Sequence, residues 1–289
     1  PIAAKGGSDV SLRYEIADDP AMQRILQRGP ALAEAAFSHS VHLEIGGLQP
    51  GRPYWYRFTT DQAVSPVGCV RTAPAADSPV DRLRFGVACC SNYEQGYFAA
   101  YRHLAEEAPE LVLFLGDYIY ECVDRSHPVL RRHSDGVPPT TLAGYRNRYA
   151  QYRMDPDLQA LHAAAPALMI WDDHEVQNDY AGEWSETFDT PARFLLRRAA
   201  AYQAFYEHMP LRPSRSLPRG PDMRIYGRFG FGNLVNFAML DGRQYRSREA
   251  CYGKPYGGGH VVTAATCPEL LDPARSMLGA AQEAWLYDG

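Results

Sequence analysis

Thiol, carboxylate, phenol and imidazole side chains follow four apolar segments of the sequence. LRFGVACC ends in Cys90, ELVLFLGD ends in Asp117 with Tyr120 three residues later, ALMIWDDHE ends in Asp172–Glu175, and NLVNFAMLD ends in Asp241. If these segments are neighbouring strands, one edge of a sheet collects all of these groups. Like charges at short range raise each other's pKa, and a multivalent cation removes that conflict.

The ligand types therefore predict a metal centre. Oxygen ligands suit hard cations such as Ca²⁺, and thiolate with phenolate adds a preference for Fe³⁺. Each residue alone has a commoner explanation: an Asp at a strand end usually caps a helix or forms a turn, and a Tyr usually packs. The combination favours a metal centre with Asp117 and Tyr120 as ligands, while Cys89 is expected in the core.

Strand and helix patterns alternate from about residue 80 onward, which predicts a layered α/β domain. The longest helical segment is TPARFLLRRAAAYQAFYEH, with Thr190 as N-cap and Pro191 at the first helical position. Ligands of open α/β sheets lie beyond the carboxyl ends of the strands. The candidate metal ligands occupy that place in the predicted fold.

Residues 1–75 show the pattern of an all-β region. SLRYEIA and VHLEI alternate, the second with Val41, Leu43 and Ile45 on one face, and a Pro-Gly turn leads into the aromatic strand YWYRFTT. The LQPGRPY stretch, residues 48–54, resembles the tyrosine corner of fibronectin type III domains. The region is therefore predicted to be a β-sandwich, and the Pro- and Ala-rich stretch after it is predicted to be a linker.

Composition limits the possible classes of protein. The net charge is −5, which argues against a nucleic-acid partner because no basic field is present. No apolar run approaches the ~18 residues of a membrane span, and no signal peptide is visible, although the chain begins at Pro1. Six cysteines do not make a disulfide scaffold. The sequence leaves open whether Cys251 and Cys267 form a disulfide.

Five stretches resemble the PhoD-like alkaline phosphatases, a branch of the calcineurin-like metallophosphoesterases. They are ACCSNYEQGYFAAYRHLAEE, LGDYIYE, WDDHEVQNDYAG, RRAAAYQAFYEHMPLR and LDGRQYR. The resemblance covers essentially the whole chain. It implies a metallophosphoesterase-type α/β/β/α sandwich over residues 80–289, incomplete at its C-terminal end, after a small fibronectin III-like all-β sandwich over residues 1–75.

The resemblance also implies a site that uses Fe³⁺ and Ca²⁺. His174 lies where the wider superfamily places a histidine that assists the phosphate. Arg243 and Arg246 follow the fourth apolar segment and are expected to meet phosphate oxygens, although a surface position is the commoner explanation for an arginine. Asp179 stands where the family often has Asn. The metal ligands implied by the family motifs are Cys90, Asp117, Tyr120, Asp172, Asp173 and Asp179.

The function implied is phosphodiester and phosphomonoester hydrolysis by a metal-activated hydroxide, on a small-molecule or polymeric substrate. The family resemblance places such an enzyme outside the cell, in the periplasm or in the cell envelope. The family completes its site with a Gly-Asp-x-His segment that does not occur before Gly289, so the chain is expected to be truncated and poorly active.

Two other functions compete with hydrolysis of phosphate esters by this chain. One is a catalytically incomplete remnant that binds phosphate or a partner. The other is a nuclease of the same superfamily, which the acidic balance of the chain disfavours. The oligomeric state and the preference for monoesters or diesters stay open.

Overall fold

The computed structural model describes residues 7–123, 128–253 and 260–289. The strands are β1 Val10–Ala17, β2 Ile25–Ala33, β3 Pro53–Thr59, β4 Gly68–Arg71, β5 Phe85–Ala88, β6 Leu111–Leu115, β7 Ala167–Ile170, β8 Gly227–Phe231 and β9 Val235–Met239. The helices are α1 Ala99–Glu106, α2 Leu142–Arg153, α3 Pro156–Ala164, α4 Pro191–His208, α5 Pro213–Ser216 and α6 Ala280–Tyr287. Two 3-10 turns are formed by Ala35–Phe37 and Pro268–Leu271.

Three of the four apolar segments form one parallel sheet, in the order β5-β6-β7. Phe114 on the central strand pairs with Ala88 on one side and with Met169 on the other. Leu111–Phe114 are buried, which is expected for a strand covered on both faces. Because the strands are parallel, their carboxyl ends meet at one edge, as the sequence predicted.

The fourth apolar segment does not join this sheet. β9 pairs with β8 as an antiparallel hairpin, closed at Gly232, which has a φ of +54°. A tight local turn makes this pairing, so β9 needs no crossover to the parallel sheet. The hairpin still contacts it, since the rings of Phe85 and Phe237 lie 5.3 Å apart.

The helices begin where the sequence predicts. Thr190 accepts a hydrogen bond from the amide of Arg193, and Pro191 is the first residue of α4. Asp155 caps α3 in the same way. Helix α4 packs against the end of β7, where the rings of Trp171 and Tyr202 stack 4.0 Å apart. These caps and contacts fix the long helix under the carboxyl edge of the sheet.

The N-terminal region forms a four-stranded antiparallel sheet, in the order β2-β1-β3-β4. The predicted tyrosine corner has the expected contacts: the hydroxyl of buried Tyr54 accepts from the amide of Gln49 at 2.8 Å and donates to its carbonyl at 3.3 Å. Among the described residues before residue 75, this is the only sheet, so the sandwich stays a prediction.

The strand predicted at VHLEI is wrong. Residues 41–45 are irregular, because their polar groups bind the α/β region and not a neighbouring strand. His42 stacks on Tyr206 of α4 at 4.2 Å and contacts the carbonyl of Leu211 through its Nδ1 atom at 2.9 Å. Glu44 accepts from the amide of Ser214. The segment thereby fastens the N-terminal sheet to the C-terminal end of α4.

Cys251 and Cys267 form a disulfide, which settles the alternative that the sequence left open. The disulfide joins residues 16 positions apart. Closing a loop of this length stabilises a fold by about 3 kcal/mol, because it lowers the conformational entropy of the unfolded chain. In the described part of the chain, none of the helices has the length and apolar character needed to cross a membrane.

Candidate metal centre

The turn after β6 presses against the turn after β7. Gly116 and Asp117 both have positive φ, of +100° and +51°. A Cβ atom at Gly116 would lie 2.3 Å from the amide nitrogen of Asp172, so only glycine allows this approach. The contact brings the backbone that carries Asp117 next to the backbone that carries Asp172 and Asp173.

Glu175 holds these two turns together. Its buried carboxylate accepts from the amides of Asp117 at 3.1 Å, Tyr118 at 2.5 Å and Asp172 at 2.8 Å. Burial, and then the charge of Asp117, raise the pKa of Glu175 to about 8. Sequence reasoning missed this role, although an acid three residues after Asp172 is the spacing of a capping box.

Asp117, Asp172 and Asp173 form an acid cluster at this edge. Each offers one oxygen, and these atoms all lie within 4.8 Å of one another. The Oδ1 atom of Asp117 is buried and has no hydrogen-bond partner in the described chain. Burial, with a contribution from the charge of Asp172, raises the pKa of Asp117. An unsatisfied carboxylate oxygen in such a place is suited to a cation.

Cys90 and Tyr120 lie against the same carboxylate. The Tyr120 hydroxyl donates to Oδ2 of Asp117 at 3.2 Å. Burial and then Asp117 raise the pKa of the Cys90 thiol to about 12, and raise the pKa of Tyr120 well above its ordinary value. A bound cation would favour the deprotonated form of both groups. Cys89, expected in the core, is exposed instead.

Arg243 pairs with two of the three carboxylates of the acid cluster. Its Nε donates to Asp172 at 2.6 Å and its Nη2 donates to Asp173 at 2.8 Å. Burial opposes ionisation of Asp172, but the hydrogen bond and charge of Arg243 outweigh it and lower the pKa. For Asp173 burial prevails and raises the pKa to about 6. The buried carboxylate of Asp241 accepts from the Arg243 amide at 3.0 Å and so places this arginine.

His174 is held by Glu121, a second residue whose role the sequence did not reveal. The Nδ1 atom of His174 lies 2.7 Å from Oε2 of Glu121, whose other oxygen accepts from the amide of Asn178. The His174 ring lies 4.1 Å from the Tyr120 ring. Burial alone would lower the pKa of His174, but the hydrogen bond and charge of Glu121 raise it to about 9.

Asp179 lies beside the acid cluster and outside the group of three acids. Its amide donates to Oδ2 of Asp173 at 2.7 Å, while its carboxylate accepts from the side-chain amide of Asn178 at 3.0 Å. The structure therefore gathers Cys90, Tyr120 and the acid cluster, and leaves the Asp179 carboxylate paired with Asn178.

Comparison with known families shows to which family the chain belongs. Residues 85–289 match the model of the PhoD-like phosphatase family, and residues 2–74 match the model of the PhoD-like phosphatase N-terminal domain. The chain belongs to the PhoD-like phosphatase family. The first match includes every candidate ligand, from Cys90 to Asp179.

A curated relative and a solved structure support this membership. The chain is 44% identical over 284 residues to alkaline phosphatase D of Bacillus subtilis (strain 168), covering 96% of this chain and 47% of that protein. A solved structure described as "Structure of PhoD" matches with a TM-score of 0.91 and 44% identity, covering 98% of this chain and 53% of the other. The chain thus spans about half the length of the curated relative it matches.

Proposed function

We propose that the protein hydrolyses phosphate esters, as a phosphodiesterase or phosphomonoesterase, on small-molecule or polymeric substrates. The observation that carries this proposal is the acid cluster, whose oxygens lie within 4.8 Å of one another at a strand edge. Phosphoryl transfer depends on positioning and on positive charge at the equatorial oxygens. Carboxylates that lie this close together can bind metal cations, which would supply that positive charge.

The donor set fits Fe³⁺ and Ca²⁺. We assign Cys90, Asp117 and Tyr120 to Fe³⁺, since a thiolate and a phenolate accompany the carboxylate there. The buried Oδ1 atom of Asp117, unsatisfied within the described residues, supports its place as a ligand. When bound, the cations would polarise the phosphoryl oxygens and lower the pKa of the attacking water. The remaining ligands in this assignment are Asp172, Asp173 and Asp179.

Two residues would orient the ester. Arg243 contacts two carboxylates of the acid cluster, so its guanidinium is within reach of a phosphate oxygen placed beside them. Glu121 engages Nδ1 of His174, which leaves Nε2 to donate to a phosphate oxygen or to the leaving oxygen. We therefore assign substrate binding to Arg243 and a catalytic role to His174.

We also infer the finer architecture and the location of the protein. The contact between Phe85 and Phe237 supports packing of the β8–β9 hairpin on the parallel sheet, as a metallophosphoesterase α/β/β/α sandwich requires. The Tyr54 corner supports a fibronectin III-like N-terminal domain over residues 1–75, ahead of a catalytic domain that begins near residue 80. The Cys251–Cys267 disulfide favours an oxidising compartment, such as the periplasm, cell envelope or exterior.

Hydrolysis of chromogenic esters tests the proposed function. The protein is stripped with a chelator, reloaded with Fe³⁺ and Ca²⁺, and assayed with 4-nitrophenyl phosphate and bis(4-nitrophenyl) phosphate. We expect low turnover, and only after reloading, with none in the reloaded Asp173→Asn variant, while Asp61→Asn at an exposed position behaves as wild type. Equal turnover of stripped and reloaded protein contradicts the proposal. Phosphate binding without turnover would be the remnant function, which membership of a phosphatase family does not favour.

A further inference from the structure

A cavity of about 430 Å³ opens beside the segment that follows Arg243. One wall is the segment Gln244–Arg248, which continues directly from Arg243, and the facing wall includes Gly182–Trp184. The two walls are joined behind the cavity, because the amide of Gly182 donates to the carbonyl of Arg243 at 2.9 Å. The volume is in the range of sites that hold small molecules.

Arg246 is the unusual residue of this cavity. Its Nε is buried and has no hydrogen-bond partner within the described ranges. Of the three arginines that line the cavity, Arg198 pairs with Asp222 at 3.2 Å and Arg248 lies 3.7 Å from Glu269. In the part of the chain that the structure describes, Arg246 has no carboxylate within 4.0 Å. A buried guanidinium donor without a partner is the complement of an anionic acceptor.

The position of Arg246 relates the cavity to the chemistry. Burial, and then repulsion from Arg243, lower the pKa of Arg246, while the charge of Glu249, followed by those of Asp172 and Asp173, raises it. The amide of Arg246 donates to the carbonyl of Arg243 at 3.3 Å, and Arg243 contacts Asp172 and Asp173. A phosphate ester bound beside Arg243 would therefore have Arg246 and the cavity as neighbours.

The other lining groups limit what the cavity can hold. The lining of the cavity includes two acids, Glu183 and Asp222, so its charge is not purely positive. The charge of Asp222 is already paired with Arg198. Arg248 lies over the Trp184 ring at 5.1 Å, which gives the wall one flat, positively charged side. This favours a planar or compact group that carries negative charge.

We propose that Arg246 and this cavity form a subsite for a second anionic group, a carboxylate or a phosphate, on the alcohol portion of the ester. The proposal rests on the proposed function, because it specifies the substrate class of the same site. It predicts selectivity for esters of anionic alcohols over esters of neutral ones.

A pair of substrates tests the subsite. These are 4-nitrophenyl phosphate and 3-carboxy-4-nitrophenyl phosphate, which differ only in the added carboxylate. We expect the reloaded wild-type protein to prefer the carboxylated ester by about tenfold in kcat/KM, the equivalent of about 1.4 kcal/mol. Arg246→Gln should bring this ratio close to one, and Arg246→Lys should keep part of it, since it retains the charge. Arg193→Gln, at an exposed arginine of α4, should leave the ratio unchanged.

Equilibrium binding separates failure of the subsite from failure of the proposed function. Titration calorimetry compares 5-hydroxy-2-nitrobenzoate with 4-nitrophenol, the two alcohols released. If neither ester is hydrolysed, the proposed function is wrong and the binding data alone decide the subsite. Tighter binding of the carboxylated phenol that is lost in Arg246→Gln supports the subsite. A wild-type protein that does not discriminate, or a ratio that survives in Arg246→Gln, overturns it.

Discussion

Two regions of the protein are polar and largely inaccessible to solvent: the acid cluster, and the tyrosine-rich core beside it, which includes Tyr145, Tyr149 and Tyr152. They satisfy their polar groups differently. In the core, the hydroxyl of Tyr152 accepts from the amides of Tyr93 and Tyr120, and the hydroxyl of Tyr145 donates to the carbonyl of Val176. In the acid cluster, an oxygen of Asp117 is left without a partner among the described residues. These tyrosine hydroxyls find their partners within the described part of the protein, and the Oδ1 atom of Asp117 does not.

The difference indicates where each region contributes. A buried network that is fully satisfied rigidifies a fold, whereas an unsatisfied buried charge destabilises it unless another group compensates. The core also contains buried atoms that lack a hydrogen-bond partner within the described residues, but none of them is a carboxylate oxygen: the hydroxyl of Tyr149, Nδ1 of His133 and Nε of Arg148. We therefore expect substitutions in the core to lower stability, and substitutions in the acid cluster to lower metal binding and activity.

The largest expected effect on stability is in the core, at Phe205→Ala. Phe205 is fully buried on α4, with its ring 5.4 Å from the Trp171 ring. Its removal should lower the free energy of unfolding by about 3–5 kcal/mol, because a cavity is left that the packed core cannot close. Urea unfolding measures this, with Leu196→Ala on the exposed side of the same helix as the control. Equal losses of unfolding free energy in Phe205→Ala and Leu196→Ala would contradict the view that the core supplies the stability.

At Asp117→Asn the effects on activity and stability should have opposite signs. Loss of an outer-shell partner of a metal site weakens it by about 10–100-fold, so loss of a ligand should lower phosphate-ester turnover by more than about 100-fold. Since burial raises the pKa of Asp117, its charge is unfavourable in the metal-free fold. The metal-free variant should therefore resist urea better than metal-free wild type at pH 7. A variant less stable than wild type would place Asp117 with the core.

Glu175→Gln tests the connection between the two turns. An amide has one accepting oxygen, so it cannot accept all three amide hydrogen bonds that the Glu175 carboxylate accepts. We expect metal affinity to fall by about 10–100-fold, because the turns that carry Asp117 and Asp172 would separate. Calorimetric titration with Ca²⁺ measures this. Glu106→Gln on the exposed side of α1 is the control, and equal affinities in the two variants would remove Glu175 from the account.

The smallest expected effect is a change in the pH dependence of stability at His162. Burial, and then the charge of Arg153, lower its pKa from 6.5 to about 3. Below pH 6.5 the unfolded chain therefore binds a proton that the folded chain does not, so stability falls as pH falls. The slope from this residue is about 1.4 kcal/mol per pH unit between about pH 6.5 and pH 3.

His162→Gln should reduce the pH dependence of the free energy of unfolding by the contribution of one proton, about 1.4 kcal/mol per pH unit. Urea unfolding of the metal-free protein at pH 7.5, 6.0 and 5.0 measures it. His133, whose pKa is also lowered, to about 4, contributes a loss of the same sign and stays in both proteins. Identical slopes in wild type and variant would mean that His162 is protonated in the fold.

Much of the fold follows from local patterns in the sequence. The caps of α4 and the apolar runs of β5, β6 and β7 are local signals, and the structure has them where predicted. β2 was missed because its apolar side chains point outward: Leu26 and Leu32 are about half exposed, and Pro30 is tolerated because β2 is an edge strand. The pairing of β9 with β8 depends on a turn at Gly232 that hydrophobicity does not report.

The sequence predicted which residues lie at the candidate site better than it predicted the contacts that these residues make. Strand ends identified Asp117 and Asp173, because parallel strands must end at one edge. The contacts of Glu175 and Glu121 could not be predicted in this way, since they depend on the turns that bring these carboxylates to the Asp117 amide and to the His174 ring. The binding of Arg243 to the acid cluster likewise depends on how the hairpin docks. The metal-ligand assignments stay predictions until a metal is bound.

Visible absorption during titration with Fe³⁺ tests the central claim most directly, that the edge holding Cys90, Asp117 and Tyr120 is a metal site. We expect wild-type protein to develop a phenolate-to-iron band that saturates with one equivalent of Fe³⁺, and Tyr120→Phe to develop none. Tyr287→Phe, at an exposed tyrosine of α6, should keep the band. A wild-type protein that stays colourless, or a band of equal intensity in Tyr120→Phe, would contradict the account.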